Sequence, residues 1–337
     1  MDRMRTRSSW LFSCMLVLGL LAMSGASLAQ TSLTNQGVEL LDAVQRAAKT
    51  LNYQGTYAHQ RNGEMRAFRV SHAFDGQDEA EKLEVLDDTP REYIRKNNIV
   101  QCLLPEQKLV LIESQRQERF PALLMSNVPD FVQFYDLVVG ENTQRVAGRK
   151  CINVSIKPKD GHRPHYELCV DKQTGLLLEA QMLDRLGSVL EHIAFTDIDI
   201  NVKLDDAALS PSWPVSQDQW RVVRRHYDNV DLAAEGWFYQ TPPGYKPVVQ
   251  VQQTLANGRQ VSQVVLTDGL ATLSIFIEPY QQKLSEQLLV GAKRSGAVNL
   301  FGKRVDSFWV VVAGEASPQT VRHLAESVVR TGPLHTR

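Results

Sequence analysis

The chain has 337 residues, with 37 lysines and arginines against 38 aspartates and glutamates. The formal net charge of -1 at pH 7 excludes the basic composition of a typical nucleic-acid-binding protein. Hydrophobic residues make up 43% of the chain, which excludes an intrinsically disordered protein and favours a globular one.

The N-terminus has the layout of a secretory signal peptide. Three arginines, at positions 3, 5 and 7, precede an apolar run from Trp10 to Met23, and Ser27-Leu28-Ala29 offers a small-x-small cleavage site. The run is too short for a comfortable membrane span. We therefore expect residues 1–29 to be removed near Ala29 and the mature chain to be soluble and exported, most simply to a bacterial periplasm.

A helix and then a series of strands follow the leader. Thr34 can cap a helix whose apolar stripe runs through Leu40, Leu41, Val44, Ala47, Ala48 and Leu51. Runs separated by turn residues then predict an antiparallel meander: Tyr53 to Gln60, Glu64 to Ala73, Lys82 to Leu86, Arg91 to Lys96, Ile99 to Leu104 and Lys108 to Glu113.

The segment RFPALLMSNVPDFVQFYDLVV, residues 119–139, interrupts the meander with a concentrated apolar surface. Spacing predicts a helix that opens at Asn127-Val-Pro129 and closes at Gly140. One interpretation is that the segment completes the core; the other is a lid over an apolar cavity that binds acyl chains. The lid hypothesis names as pocket residues Leu123, Leu124, Met125, Phe131, Phe134, Tyr135 and Val138.

Four further strands are predicted before residue 201: Arg145 to Lys157, Arg163 to Asp171, Leu176 to Asp184 and Ser188 to Ile200. The first two form a hairpin that contains CINVSIKPKDGHRPHYELCV, residues 151–170. A three-residue loop, Lys159-Asp160-Gly161, would place Cys151 opposite Cys169. In that register the apolar side chains face one side and the two cysteines face the polar side, within reach of a disulfide.

Unpaired cysteines and a metal or redox site are the alternatives for this hairpin. His165 is four residues from Cys169, roughly 13 Å along a strand, so the two side chains cannot share one ion. An exported protein meets an oxidising compartment, which favours a Cys151–Cys169 disulfide and no metal. Cys102 is then the odd thiol, interpreted as a buried strand residue.

Residues 205–218, DDAALSPSWPVSQD, are rich in Pro, Ser and Asp and are interpreted as a linker. They would separate a first domain, residues 30–204, from a second, residues 219–330. The second contains TPPGY at 241–245, several strands with an Asn257-Gly258 turn, and a helix capped by Ser317. Its inward residues are predicted to be Val321, Leu324, Ala325 and Val328.

Catalytic signatures are missing from the sequence. It contains no GxSxG, HExxH, CxxC, GxGxxG or Walker loop. We therefore expect neither an enzyme nor a cofactor.

An ordered set of segments resembles the RseB/MucB family of periplasmic regulators. GRKCINVSIKPKDGHRPHYELCVDKQTGLLLEAQMLDRLGSVLEHIAFTDIDI (148–200) is similar to the first domain of that family. TDGLATLSIFIE (267–278), GAVNLF (296–301) and VVVAGEASPQTVRHLAESV (310–328) are similar to the second. Cys169 stands where the family usually has Trp, so the disulfide rests on the register and not on the resemblance.

The resemblance implies an α+β fold: an N-terminal lipoprotein-carrier-like, unclosed antiparallel β-barrel with helices, and a smaller C-terminal α/β domain. It implies binding to the periplasmic domain of a membrane-spanning anti-sigma factor and its protection from site-1 proteolysis. Lipopolysaccharide or another lipid would relieve the protection. No nucleic acid is expected, and a second copy of the chain remains a candidate partner.

Two other function classes compete with this regulator. A periplasmic lipid or lipoprotein carrier is suggested by the architecture of the first domain alone. A secreted metal-dependent hydrolase would have to use the Cys and His residues of 151–170.

Overall fold

The computed structural model describes residues 24–87, 89–113, 132–216, 219–255, 258–281 and 290–331. Within these ranges the chain forms a 12-stranded sheet, a 7-stranded sheet and a 2-stranded ribbon. No helix in the same ranges is long and apolar enough to cross a membrane.

The 12-stranded sheet builds the first domain. Its strands are β1 (Tyr53–Arg61), β2 (Glu64–Phe74), β3 (Glu79–Val85), β4 (Arg91–Lys96), β5 (Ile99–Leu104), β6 (Leu109–Glu113), β7 (Tyr135–Val146), β8 (Arg149–Pro158), β9 (His165–Asp171), β10 (Leu177–Leu183), β11 (Val189–Ile200) and β12 (Arg221–Arg224). Their spatial order is β12-β6-β5-β4-β3-β2-β1-β11-β10-β9-β8-β7. In the described part of the chain the sheet is therefore unclosed, as predicted.

The first helix, α1 (Ser24–Thr50), packs against β7 and β2. The predicted stripe is confirmed, because Leu41, Val44, Ala47 and Ala48 are buried. They join a core that includes Tyr53, Val154, Ile156, Leu168 and Phe195. The helix begins ten residues before the predicted cap, Thr34, and so passes through the proposed cleavage point.

The meander over residues 53–113 is confirmed, and β4 and β5 have the predicted bounds. A short 3-10 helix, Pro105–Gln107, connects β5 to β6. Cys102 lies on strand β5, as predicted, but it is half-buried and not buried.

The helix predicted to end at Gly140 is wrong where the structure describes it, because Tyr135–Val146 is strand β7. Tyr135 and Leu137 point inward, whereas Asp136 and Val138 are exposed. The apolar positions of this segment fit both a helical period and a strict alternation, and pairing with the apolar face of β8 decides for the strand.

The strand predicted over Arg145 to Lys157 is in fact the end of β7, a turn, and β8. The two turn residues, Ala147 and Gly148, both have positive φ values, 47° and 75°. A two-residue turn of this kind matches the twist of antiparallel strands. Sequence reasoning missed it because alanine rarely takes the first such position.

The disulfide between Cys151 and Cys169 is present, with a Cα–Cα distance of 5.4 Å. The predicted register is nevertheless wrong by two residues: Cys151 pairs with Asp171, and Asn153 pairs with Cys169. A shift of two residues keeps every side chain on its face, so the separation of polar and apolar faces survives. The hairpin loop is correspondingly longer than predicted and covers residues 159–164.

The second domain is built from the 7-stranded antiparallel sheet. Its strands are β13 (Tyr227–Asn229), β15 (Lys246–Thr254), β16 (Gln260–Thr267), β17 (Thr272–Pro279), β18 (Gly291–Ser295), β19 (Val298–Val305) and β20 (Phe308–Gly314), and the ribbon contains β14 (Trp237–Phe238) and β21 (Val329–Arg330). The hairpin of β18 and β19 was missing from the sequence prediction. Its residues show no sustained alternation of apolar and polar side chains.

The helix α3 (Pro318–Ser327) covers this sheet, and the Oγ of Ser317 accepts from the backbone N–H of Thr320 as an N-cap. The four predicted inward residues are all buried. They pack with Val264, Leu273, Ile275, Val310 and Val312 into a separate core. Both the cap and the helix face are confirmed.

The connection between the domains contains a four-residue helix, α2 (Asp206–Leu209). Strand β12 follows the predicted linker in sequence, yet it pairs in parallel with β6 of the first sheet. Trp220, directly before β12, is buried with Leu103 and Val110 of the first domain. The start of the second sequence unit therefore fastens the connection to the first sheet.

Candidate functional site

The loop between β8 and β9 projects from the first domain and contacts the second. The backbone N–H of Ser317 donates to the carbonyl of His162 at 2.8 Å. The Nδ1 atom of His162 lies 2.9 Å from the Oγ1 of Thr320. The N-terminal turn of α3 is thus attached directly to a loop of the other domain.

A buried ion pair lies at the centre of this junction. The Nε of Arg163 donates to the Oδ2 of Asp268 at 2.7 Å, and both side chains have 0% exposure. The hydroxyl of Tyr135 donates to the same oxygen at 2.9 Å, while Leu270 and Ala271 donate their backbone N–H groups to Oδ1. Such a pair stabilises a fold only when further hydrogen bonds satisfy it, and here they do.

The remaining guanidinium nitrogens of Arg163 are also engaged. Its Nη1 contacts the carboxylate of Asp160, and its Nη2 contacts the carbonyl of Pro243. Asp160 lies on the same loop, whereas Pro243 belongs to the TPPGY segment of the second domain. Arg163 therefore connects its own loop to two separate segments of the second domain.

Aromatic rings surround the guanidinium group. The ring centroids of Phe134, Tyr245 and Tyr135 lie 4.6, 5.2 and 5.8 Å from the Cζ of Arg163. Burial raises the pKa of Tyr135, as does the neighbouring carboxylate of Asp268, which keeps the phenol a neutral donor. Cation–π contacts of this kind are strongest where water is excluded.

Gly244 makes the close approach possible. Its φ is +80°, and a Cβ at this position would lie 2.6 Å from the Nη2 of Arg163 and 2.6 Å from the Cε2 of Phe134. Any side chain would overlap both groups. The glycine of TPPGY is therefore required by the geometry of the junction.

The predicted pocket residues are distributed unevenly. Leu123, Leu124, Met125 and Phe131 lie outside the described residues. Phe134 and Tyr135 lie at the junction, against Arg163. Val138 is 49% exposed and points away from the core face of β7. The acyl-chain pocket stays a prediction.

The polar face of the hairpin carries the two cysteines, which are buried at 0% and 1% exposure. His165 lies near the hydroxyl of Ser155 and the carboxylate of Glu167 on this face. Among the residues that the structure describes, no three His, Cys, Asp or Glu side chains are grouped as ligands for a metal ion.

Sequence reasoning missed Arg163, Asp268 and Gly244. The signals were present, because HRPHY places an arginine in a loop and TDGL and TPPGY are compact turn motifs. Within 151–170 the cysteines and histidines are residue types typical of metal or redox sites, whereas Arg163 between the two histidines carries no such signature.

Comparison with known proteins gives matches across both domains. The family model of the MucB/RseB N-terminal domain matches residues 36–213, and the family model of the MucB/RseB C-terminal domain matches residues 231–329. The sigma factor AlgU regulatory protein MucB of Pseudomonas aeruginosa is 27% identical over 335 residues, covering 94% of this chain and 96% of the relative. The sigma-E factor regulatory protein RseB of Haemophilus influenzae is 25% identical over 298 residues, covering 86% and 89%.

Solved structures agree with the fold. The complex of MucA with MucB from Pseudomonas aeruginosa matches with a TM-score of 0.67 at 24% identity, covering 88% of this chain and 99% of that chain. A structure of MucB alone matches with a TM-score of 0.62 at 23% identity, covering 88% and 98%. The relatives are named as regulatory proteins and not as enzymes. Because the family models of both domains match in order over most of its length, this chain belongs to the MucB/RseB family.

Proposed function

We propose that this chain is a periplasmic regulator that binds the periplasmic region of a membrane-spanning anti-sigma factor and protects it from site-1 proteolysis. The observation that carries the proposal is the match to both domains of the MucB/RseB family. The relatives named above regulate sigma factors, and MucB has been solved in complex with the periplasmic part of MucA. The signal-peptide layout of residues 1–29 supports that compartment.

Protection of a partner from a protease requires a surface that holds the partner in one conformation. The junction supports this role, because Arg163 and Asp268 fix the two domains relative to one another through buried contacts. A partner that contacts both domains would then meet a preformed surface, which reduces the entropy lost on binding.

Release by lipopolysaccharide or another lipid is the second part of the proposal. Phe134 and Tyr135 belong to the apolar segment 119–139 and also contact Arg163. Lipid bound by that segment would act on the junction through these two rings. A lipid changes the arrangement only if it binds one arrangement more tightly than the other.

The test is a reconstituted cleavage assay with the full mature chain, the anti-sigma factor of the same host in lipid vesicles, and the site-1 protease. We expect the chain to slow cleavage and added lipopolysaccharide to restore it. An unrelated periplasmic protein at equal concentration and vesicles without lipopolysaccharide are the controls. Equal cleavage rates with and without the chain would contradict the proposal.

The same reconstituted system distinguishes a lipid carrier from a regulator. A carrier would move labelled lipid between two vesicle populations and leave cleavage of the anti-sigma factor unchanged. A regulator would change cleavage whether or not it transferred lipid.

A further inference from the structure

A cavity of about 170 Å³ lies beside the junction, between the two domains. The first domain contributes Pro164, Leu183 and Leu190 to its wall, and the second contributes Ala316 and Pro318. These side chains make the wall largely apolar. The volume is that of one large amino-acid side chain.

Glu315 lines this cavity without a cationic partner. Among the described residues Glu315 is in no ion pair, and Arg61 is the cation whose charge acts on its carboxylate from a longer distance. The neighbouring acids differ, because Glu191 pairs with His59 at 2.6 Å and Asp268 pairs with Arg163. A desolvated carboxylate without a counter-ion is unfavourable, so the group either takes up a proton or is compensated by an incoming cation.

The environment acts on the protonation of this carboxyl group. Burial, with the added effect of Glu191, raises the pKa of Glu315 to about 7, against opposing effects of Arg61 and a backbone hydrogen bond from Thr272. The charged side chains that line the cavity with it are Arg163, Asp184, Arg185 and Arg294. Asp184 accepts from the backbone of its own turn at Leu186 and Ser188. Glu315 is thus left as an acid that faces the cavity without a cationic partner.

The surroundings of the cavity extend the surface. Leu186 is 91% exposed and lies among the lining residues with Arg185 and Arg294. A second cavity of about 380 Å³ shares Leu190 and Arg294 with the first and adds Val189, which is 50% exposed. Exposed apolar side chains next to arginines favour a protein segment with apolar and acidic residues.

We propose that the cavity receives one lysine or arginine side chain of the bound anti-sigma factor, which pairs with Glu315, while acidic residues beside it lie against Arg185 and Arg294. This inference rests on the proposed function and assigns it a contact. The aliphatic stem of the incoming side chain packs on the apolar wall, and its charged end supplies the missing cation.

The test compares Glu315→Gln with Glu106→Gln, a control on the exposed 3-10 helix far from the cavity in sequence. Binding of the host's periplasmic anti-sigma fragment to the full mature chain is measured by calorimetry. Loss of a buried charged contact predicts a Kd roughly 10-fold or more higher for Glu315→Gln. The control keeps the wild-type Kd.

The partner side chain is identified by replacing each lysine and arginine of the fragment with methionine in turn. One replacement should weaken binding to the wild-type chain and have no further effect on Glu315→Gln. The folded state is checked by urea unfolding, where Glu315→Gln is expected to be no less stable than the wild type. Weaker binding by a variant of undiminished stability cannot be attributed to misfolding.

The outcomes separate the two proposals. If the wild type binds the fragment and Glu315→Gln binds equally well, the inference is overturned while the proposed function stands. Additive effects of every basic replacement with Glu315→Gln also overturn it. If the wild type does not bind at all, the proposed function fails and this contact fails with it.

Discussion

The two ends of the β8–β9 hairpin are held in different ways. At the end away from the loop, the Cys151–Cys169 disulfide joins neighbouring strands within one sheet. At the loop, Arg163 reaches a different domain and is held by an ion pair, hydrogen bonds and aromatic rings. The disulfide holds the strands together at any pH or salt concentration as long as no reductant is present, whereas the loop contacts depend on charge and packing.

This difference separates stability within a domain from contact between domains. The disulfide cross-links the two strands that carry the loop, so the loop is anchored on the first sheet. The loop contacts are non-covalent, so they can be lost while the hairpin itself stays intact. The proposed release by lipid would require this combination of a loop anchored in one domain and non-covalent contacts to the other.

Removal of the cation from the loop should have the largest effect. Arg163→Met leaves the carboxylate of Asp268 buried without its ion-pair partner, and we expect a loss of about 3–5 kcal/mol in the free energy of unfolding. Calorimetry should also show the two domains unfolding in separate transitions. Arg322→Met is the control, because its pair with Glu326 is exposed and contributes about 0.5 kcal/mol or less. Equal losses for the two variants would show that burial of the pair is irrelevant.

Removal of the disulfide tests the other end. Replacing Cys151 and Cys169 with alanine opens a loop with a sequence separation of 18 residues, and we expect a loss of about 3 kcal/mol in the chain-entropy model. Urea unfolding with and without reductant measures it, and the double variant should be insensitive to reductant. Contact between the domains should persist, so a split into two transitions in this variant would count against the comparison.

Much of the fold could be predicted from sequence, and the failures have a common cause. Local patterns were sufficient for α1, for β4 and β5, and for α3 with its Ser317 cap, since turn residues and apolar periodicity agree there. Residues 135–140 fitted two periods, and only pairing with β8 decides between them. Long-range pairing is not contained in a local pattern.

The junction was missed for the same reason. Arg163 and Asp268 are 105 residues apart, and neither differs locally from a solvated loop residue. The cysteines were paired correctly despite a wrong register, because a shift of two residues keeps both on one face. Chemistry that depends on one face was predictable, and chemistry that depends on contact between domains was not.

Adding one carbon atom in the junction, at Gly244, should produce a smaller loss in the free energy of unfolding. Gly244→Ala places a Cβ against Arg163 and Phe134 at a φ of +80°, and we expect about 2–3 kcal/mol of destabilisation from overlap and backbone strain. Gly258→Ala is a matched control, since its φ is +77° and nothing lies within 4 Å of its Cβ. It should lose only the strain part, about 1 kcal/mol. Thermal unfolding of both variants gives the difference, and identical losses would contradict close packing at Gly244.

The smallest predicted effect is an increase in stability, for Glu315→Gln, and it depends on pH. The pKa of Glu315 is raised from 4.5 to about 7, first by burial and then by Glu191. The folded state therefore holds this proton more tightly than the unfolded state, so its stabilising contribution is complete below pH 4.5 and is lost as the pH rises towards 7. Glutamine is neutral throughout this range. We expect the free energy of unfolding of Glu315→Gln, relative to that of the wild type, to increase by about 1–2 kcal/mol when the pH is raised from 5 to 8. This figure allows for the partial exposure of the side chain.

Urea unfolding at the two pH values measures this gain, with Glu106→Gln as the control that should show no such change. A difference between Glu315→Gln and the wild type that is the same at pH 5 and pH 8 would mean that the carboxyl group titrates as in the unfolded chain. A gain at pH 8 would show that Glu315 lowers the stability of the unbound protein. A residue kept at such a cost beside the junction is expected where a partner supplies the missing charge, because binding then recovers what folding alone does not.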